Sequence, residues 1–236
     1  MNRRLTATLL VAAAVLTNAA FTVLGAVFSY PDVLKEPTTD ILARVRDHQG
    51  PVSFWFAVMA LSAAMFAPVA VGVGRLSTHR AMRLAVPAGI AAAAVQVIGL
   101  SRWPLLVPRF AADATSTDPA TAAAARDAFE TAHRVLGNVV GETFGYLFTA
   151  AWTLLVLVAL HRRLAGRWFT ALGAASAVLI LAGVLSPLNV PVLDDANFVG
   201  YVLWSLWLVV FAALLLRRPD PAVATAPGAT LAAARV

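Results

Sequence analysis

Six stretches of the chain are apolar over the length needed to cross a bilayer, and nothing else in the sequence restricts the fold as much. A hydrocarbon core of about 30 Å takes about 20 helical residues. The runs are Leu5 to Tyr30, Val52 to Gly74, Leu84 to about Pro108, about Gly141 to Leu160, Phe169 to Leu185, and Asn197 to Leu216. Composition agrees: of 236 residues 60% are apolar and 13% charged, with a mean hydropathy of +0.79. Soluble domains carry about 45–50% apolar and about 25% charged residues. The sequence therefore predicts an all-α membrane protein, a six-helix transmembrane bundle over residues 1–218, with membrane lipids as its immediate surroundings.

The charges orient it. Arg3 and Arg4 precede the first run; Arg75, His79, Arg80 and Arg83 follow the second; His161, Arg162, Arg163 and Arg167 follow the fourth; Arg217 and Arg218 follow the sixth. Eleven of the 18 basic residues fall on this side, whereas every acidic residue except Asp220 falls on the other or in the outer half of a span. Arginine-rich short segments stay in the cytoplasm. An even number of spans then places both termini there, in a multi-pass protein of the cytoplasmic membrane. The net charge of +6 is thus a topology signal, and nucleic acid is not an expected partner. Zero cysteines exclude disulfides and thiolate sites, and four histidines leave little for a metal; none is expected, nor any other cofactor.

The first apolar run is longer than a signal-peptide core and reads as an uncleaved span. The Pro- and Ala-rich tail, residues 219–236, reads as disordered and cytoplasmic. In the first outer loop, Thr39 or Asp40 can cap a short helix that carries an Ile41, Leu42, Val45 stripe. In the second, Thr117, Asp118 and Pro119 form a helix start able to run directly into the fourth span. The odd spans each end outside in Gly, Ser and Pro (Gly25, Ser29, Pro31; Gly99, Ser101, Pro104; Gly183, Ser186, Pro187), a weak threefold hairpin repeat.

Polar residues inside spans mark candidate sites, because a charge at mid-bilayer costs about 2.5–3.5 kcal/mol on insertion scales. Arg102 and Glu142 each lie about 27 Å above the inner boundary at 1.5 Å per residue. This matched depth predicts an ion pair, and the two are the candidate catalytic groups. Asn18, Gln96, Tyr146 and Tyr201 fall one layer deeper on separate helices and outline an outward-opening polar pocket. On the fourth span, Glu130, Arg134, Asn138, Glu142 and Tyr146 recur every four residues as a polar stripe. His133 stands beside it at the pocket mouth. Gly137, Gly141 and Gly145 make a second row that admits a close helix neighbour, within the chain or from a partner. Structural roles compete: Asn18 and Gln96 also suit interhelical hydrogen bonds, Glu130 and Arg134 a solvated pair, and the six tryptophans packing or an interfacial belt. Phosphate-binding loops, His-Glu-x-x-His, paired-aspartate signatures and Gly-x-Ser-x-Gly are absent.

Several strings together resemble a known family. They are Phe28-Ser-Tyr-Pro-Asp-Val-Leu-Lys-Glu-Pro37, Leu100-Ser-Arg-Trp-Pro104, His133-Arg-Val-Leu-Gly137, Gly141-Glu-Thr-Phe-Gly-Tyr-Leu-Phe-Thr-Ala-Ala-Trp152 and Gly200-Tyr-Val-Leu-Trp-Ser-Leu-Trp207. In order and spacing the chain from Leu5 to Arg218 resembles the bacterial multi-pass family classed as domain of unknown function 4386. The resemblance implies a fold but no activity. It draws interest to Arg102, His133, Glu142 and Tyr146. The expected function is binding of a small amphiphile, lipid or isoprenoid in the outward pocket. An acid–base cyclase or isomerase using Glu142, a transporter and a structural subunit are the alternatives.

Overall fold

The structure is a computed structural model that describes residues 2–160, 166–188 and 190–217. The inner-turn cluster His161, Arg162 and Arg163, together with Arg218 and the tail, lies outside the described residues. Among the described residues the secondary structure is helical, with no strand.

Six segments are long and apolar enough to cross a membrane: Arg3–Phe28, Gln49–Gly74, Arg80–Asp113, Pro119–Leu160, Arg167–Leu188 and Pro191–Leu216. Their helices are α1 (Arg3–Phe28), α3 (Gln49–Gly74), α4 (Arg80–Leu105), α7 (Gly145–Leu160), α8 (Arg167–Ala182) and α9 (Pro191–Leu216). Shorter helices α2 (Thr38–Asp47), α5 (Val107–Asp113) and α6 (Pro119–Ala132) lie at the end of the bundle away from α1's start and α9's close, termed the outer end. Helix ends follow local chemistry. Asn2 accepts from the Leu5 amide at the start of α1, and Ser29, at a left-handed φ of 55°, ends it by donating to Leu24. At α6, Asp118 caps the Ala120 and Thr121 amides with Pro119 behind it, and the helix continues into the fourth span as expected. The α2 stripe Ile41, Leu42 and Val45 is buried. Its start differs from expectation. Pro37 precedes the first turn without a side-chain cap, and the Thr39 hydroxyl turns to Asp40 instead.

Each spanning helix packs mainly on two others. α1 lies on α3 and α9, α3 continues to α4, α4 to α7, α7 to α8, and α8 back to α9, so sequential hairpins close into a six-membered ring. The ring has two cores. At the end that holds both α1's start and α9's close, Leu10, Val73, Met82, Leu160 and Leu215 gather around a plug of aromatics. There Trp152 meets Phe66 at 4.6 Å and Trp207 at 5.8 Å, and Phe169 stacks on Trp207 at 5.2 Å. At the outer end, Trp103 lies between Phe56 (4.7 Å, parallel) and Phe28 (5.3 Å), under α2, α5 and Phe129 of α6. The tryptophans are therefore chiefly packing residues; Trp168, at the inner end, is the exposed one.

The second and third hairpins share a register. The indole nitrogens of Trp152 and Trp207 are buried without a hydrogen-bond partner, and each faces a glycine on the partner helix, Gly89 and Gly173. Gly99 and Gly183 follow those glycines at one common separation, as Tyr146 and Tyr201 precede the tryptophans at another. The first hairpin is joined differently, by Thr17 bonded to Ser62.

Helix proximity depends on absent side chains. A Cβ on Gly99 would lie 2.6 Å from the Gly141 Cα and 2.9 Å from the Leu136 carbonyl oxygen, whereas one on Gly50 would meet nothing within 4 Å. Gly99→Leu should cost about 1–3 kcal/mol by overpacking. Gly50→Ala should be neutral or stabilising by about 0.5–1 kcal/mol. Thermal melting in detergent checks both, and an unchanged midpoint for Gly99→Leu would contradict this packing.

The Thr121 hydroxyl, with the Thr121 and Ala120 amides, holds the Asp118 carboxyl below the usual carboxylate range. A depressed value favours the charged form in the folded helix, so the cap is intact above the ordinary aspartate value of about 3.9 and is lost as pH falls through the lower folded value. Amide exchange at Ala120 and Thr121, corrected for intrinsic rate, should quicken over that acid window and in Asp118→Ala at neutral pH. Equal protection in the variant would show that the carboxylate does not cap.

Candidate functional site

Between α6 and α7 the fourth span is a π-helix, His133–Phe144. Its hydrogen bonds reach five residues back, and the Thr143 hydroxyl likewise donates to the Asn138 carbonyl at 2.9 Å. More residues per turn than in an α-helix break the four-residue stripe expected from the sequence. Arg134 and Asn138 are exposed, as is Glu130, which accepts from the Thr38 hydroxyl at 2.8 Å instead of pairing with Arg134. Only Glu142 and Tyr146 of that series turn into the bundle, half-buried.

The glycine row does keep one direction, toward α4. A Cβ on Gly137 would lie 2.7 Å from an Arg102 guanidinium nitrogen, one on Gly141 would lie 3.0 Å from the Gly99 Cα, and one on Gly145 would lie 3.1 Å from the Gln96 side chain. The close neighbour anticipated for these glycines is therefore a helix of the same chain.

Arg102, in the last turn of α4, is 5% exposed. Its guanidinium lies against Gly137, donates one Nη to the Gly99 carbonyl, and places the other 3.5 Å from His133 Nδ1. As a donor, Arg102 needs Nδ1 to accept, so a neutral His133 with its proton on Nε2 suits this contact. His133 is held by stacking on Phe129, centroids 5.8 Å apart. The Arg102 Cζ lies 5.2 Å from the centre of the Trp103 ring. The Arg102 Nε is buried and has no partner.

The ion pair expected between Arg102 and Glu142 is not formed. The ion pairs among the described residues are Lys35–Asp194, Arg44–Glu36 and Arg109–Asp113. The physical reason lies in the π-helix. Its glycines let the guanidinium settle on backbone beside Gly99 and His133, while the changed rotation carries Glu142 away.

Glu142 has a different company. Tyr30, Tyr146 and Tyr201, the three tyrosines of the chain, all lie within electrostatic reach of its carboxylate, as does Asp194. Tyr146 and Tyr201 meet at 5.9 Å, edge to face, and Tyr201 packs on Trp204 below. Among the described residues neither the Glu142 carboxylate nor the Tyr30 and Tyr146 hydroxyls make a hydrogen bond. Lys35 ties the first outer segment to Asp194 at 3.3 Å beside this group.

Asn18 and Gln96 do not join the constellation. Asn18 donates to the Ala14 carbonyl and, across to α9, to Ser205 at 2.9 Å; Gln96 donates to Thr149 at 3.0 Å, across to α7. Both hold helices together. A groove of about 530 Å³ lies elsewhere, on the outer surface between α5 and α6, rimmed by Arg109 and Asp113. Tyr30 and Asp194 were not picked from the sequence: Tyr30 is the end residue of the first apolar run, and Asp194 precedes the sixth. The signal that could have found Tyr30 is the rarity of tyrosine, with one residue in each of three matching strings.

Fold and site together define a multi-pass helical membrane protein with a polar cluster in the outer half of a six-helix ring. The sequence profile described as domain of unknown function (DUF4386) matches residues 5–212. The chain belongs to that family. No curated protein and no solved structure matches it.

Proposed function

We propose that the outer half of the bundle binds a small amphiphile, a lipid or isoprenoid, whose anionic or carbonyl group is received by Arg102. The observation that carries this is a buried arginine, 5% exposed, with no carboxylate in contact among the described residues and a buried Nε–H that has no partner. Buried polar groups are nearly always satisfied, and an unpartnered charge is costly to bury. An incoming oxygen would relieve that cost. Gly99 and His133, rather than Glu142, orient the guanidinium in this scheme, and Glu142 with Tyr30 and Tyr146 offers further hydrogen-bonding capacity to the same ligand.

The arginine-rich inner turns support a protein of the cytoplasmic membrane with the cluster facing outward, so the ligand enters from the outer leaflet or the space beyond it. The aromatic plug of Phe66, Trp152, Trp207 and Phe169 speaks against a through-path, since conduction or transport calls for polar groups at more than one depth. A second reading, acid–base catalysis on a lipid-soluble substrate, is favoured by the partnerless Glu142 carboxylate, which is free to hold or release a proton.

Mass spectrometry of lipids copurified in mild detergent tests the binding reading. Wild-type protein should carry a defined amphiphile, and Arg102→Gln should lose most of it while retaining its helical content. Unchanged copurification in Arg102→Gln would refute it. If the wild-type protein converts added polyprenyl substrates and Glu142→Gln does not, catalysis takes precedence.

A further inference from the structure

Arg102 is seated on the fourth span by acceptors of two kinds, one fixed and one able to change. The guanidinium lies flat over Gly137, where a Cβ would stand 2.7 Å from one Nη, 2.8 Å from Cζ and 3.3 Å from Nε. That Nη faces His133 Nδ1 at 3.5 Å, and the other donates to the Gly99 carbonyl. A carbonyl oxygen accepts at every pH. An imidazole nitrogen accepts only while the ring is neutral and carries its proton on the other nitrogen. Nor is the ring loose. It lies parallel to Phe129, with 13° between planes and 5.8 Å between centroids, and Phe129 is itself 2% exposed in the outer core.

We infer that His133 and Arg102 form a proton-operated latch between the fourth span and α4: neutral His133 keeps the guanidinium on Gly137, and protonated His133 expels it. Proton uptake puts an N–H on both sides of the 3.5 Å contact, so a hydrogen bond becomes an opposition of two donors. It also sets two cations side by side where Arg102 is 5% exposed and water screens little. Arginine keeps its charge throughout the working range of pH, so the histidine decides. The elements packed against the π-helix are α4, α6, α7 and the Gly183–Leu188 segment. At this end α4 brings Arg102 alone. In α6, Glu130 is exposed and bonded to Thr38, Asp127 is exposed and Arg126 half-buried; α7 brings Tyr146, and Gly183–Leu188 no titratable group. Within the π-helix, Arg134 is exposed and Glu142 lies about two turns further on. Among the described residues, Arg102 is the charged group in hydrogen-bond contact with His133. Once the guanidinium leaves, His133–Phe144 loses one of the contacts that hold its wide turns against α4. The latch acts on the same guanidinium as the amphiphile reading but belongs to the ligand-free protein, so either can fail without the other.

Hydrogen exchange tests the latch on the full-length chain, stripped of lipid in detergent, from about pH 8 to about pH 4. Exchange is read by mass spectrometry on peptides that cover His133–Phe144 and is corrected for the intrinsic rate. In the wild type it should rise at least about tenfold across a single-proton transition as pH falls. His133→Gln does not titrate, and its amide oxygen can accept from the guanidinium, so that variant should stay at the protected level throughout. Arg102→Gln leaves His133 free to take up a proton with no cation beside it, and should show no transition either. A flat wild-type profile would overturn the latch. So would a transition that survives in His133→Gln, which would assign the proton to another group, or one that survives in Arg102→Gln, which would remove the guanidinium from the mechanism. Should His133→Gln lose helical content, Arg102→Gln decides alone.

Discussion

The structure turns on how closely two backbones approach between α4 and the fourth span. Gly99 and Gly141 meet with no side chain between them, flanked by Gly145 beside Gln96 and Gly137 beneath Arg102. In lipid, where helices gain nothing by hiding apolar surface from water, such contact is a main source of association. It also prepares the site. A guanidinium can lie flat on a helix only where a residue has no Cβ, and Gly137 supplies that place. Had the position held alanine, Arg102 would need another rotamer and the contact with His133 would be lost.

The π-helix His133–Phe144 is the second half of the same arrangement. Long π-segments are rare, since the wider turn packs its own backbone less well, and they persist where neighbours hold them and concentrate at functional positions. Here α4 holds it through the glycines and α6 leads into it from a capped start. The result is a division of labour along one span. The residues facing α4 position Arg102, those turned to the bundle interior present Glu142 and Tyr146, and the remaining polar ones face outward. Below, the ring is closed by indole and phenyl rings; above, α2, α5 and α6 form a lid of buried apolar residues around Trp103. The polar cluster is therefore bounded beneath by packing.

Much of this could be read from residues alone. Apolar length located all six spans, five of them to within six residues at either end, because the bilayer imposes one dimension on all of them; the fourth starts at Pro119 and not about Gly141, since α6 and the π-helix run into it. Asp118-Pro119 marked a helix start because its chemistry is local. Matched depth paired Arg102 with Glu142. It could not say that they do not touch, since height carries no information on rotation, and rotation was changed by a π-helix that no short pattern announces. The stripe from Glu130 to Tyr146 failed for that reason. Asn18 and Gln96 share the depth of the site, yet their amides are used up by Ser205 and Thr149, partners distant in sequence. Tyr30, the last residue of the first apolar run, was passed over as a span end, although it stands just beyond the close of α1.

The central claim is that Arg102 and Glu142 act as separate receptors and not as a structural pair. A double-mutant cycle on thermal unfolding of the lipid-free protein, with Arg102→Met, Glu142→Gln and the double variant, measures their coupling directly. The account predicts a coupling below about 0.5 kcal/mol, the scatter of independent sites. A coupling of about 2 kcal/mol or more, as for a buried ion pair in contact, would contradict it.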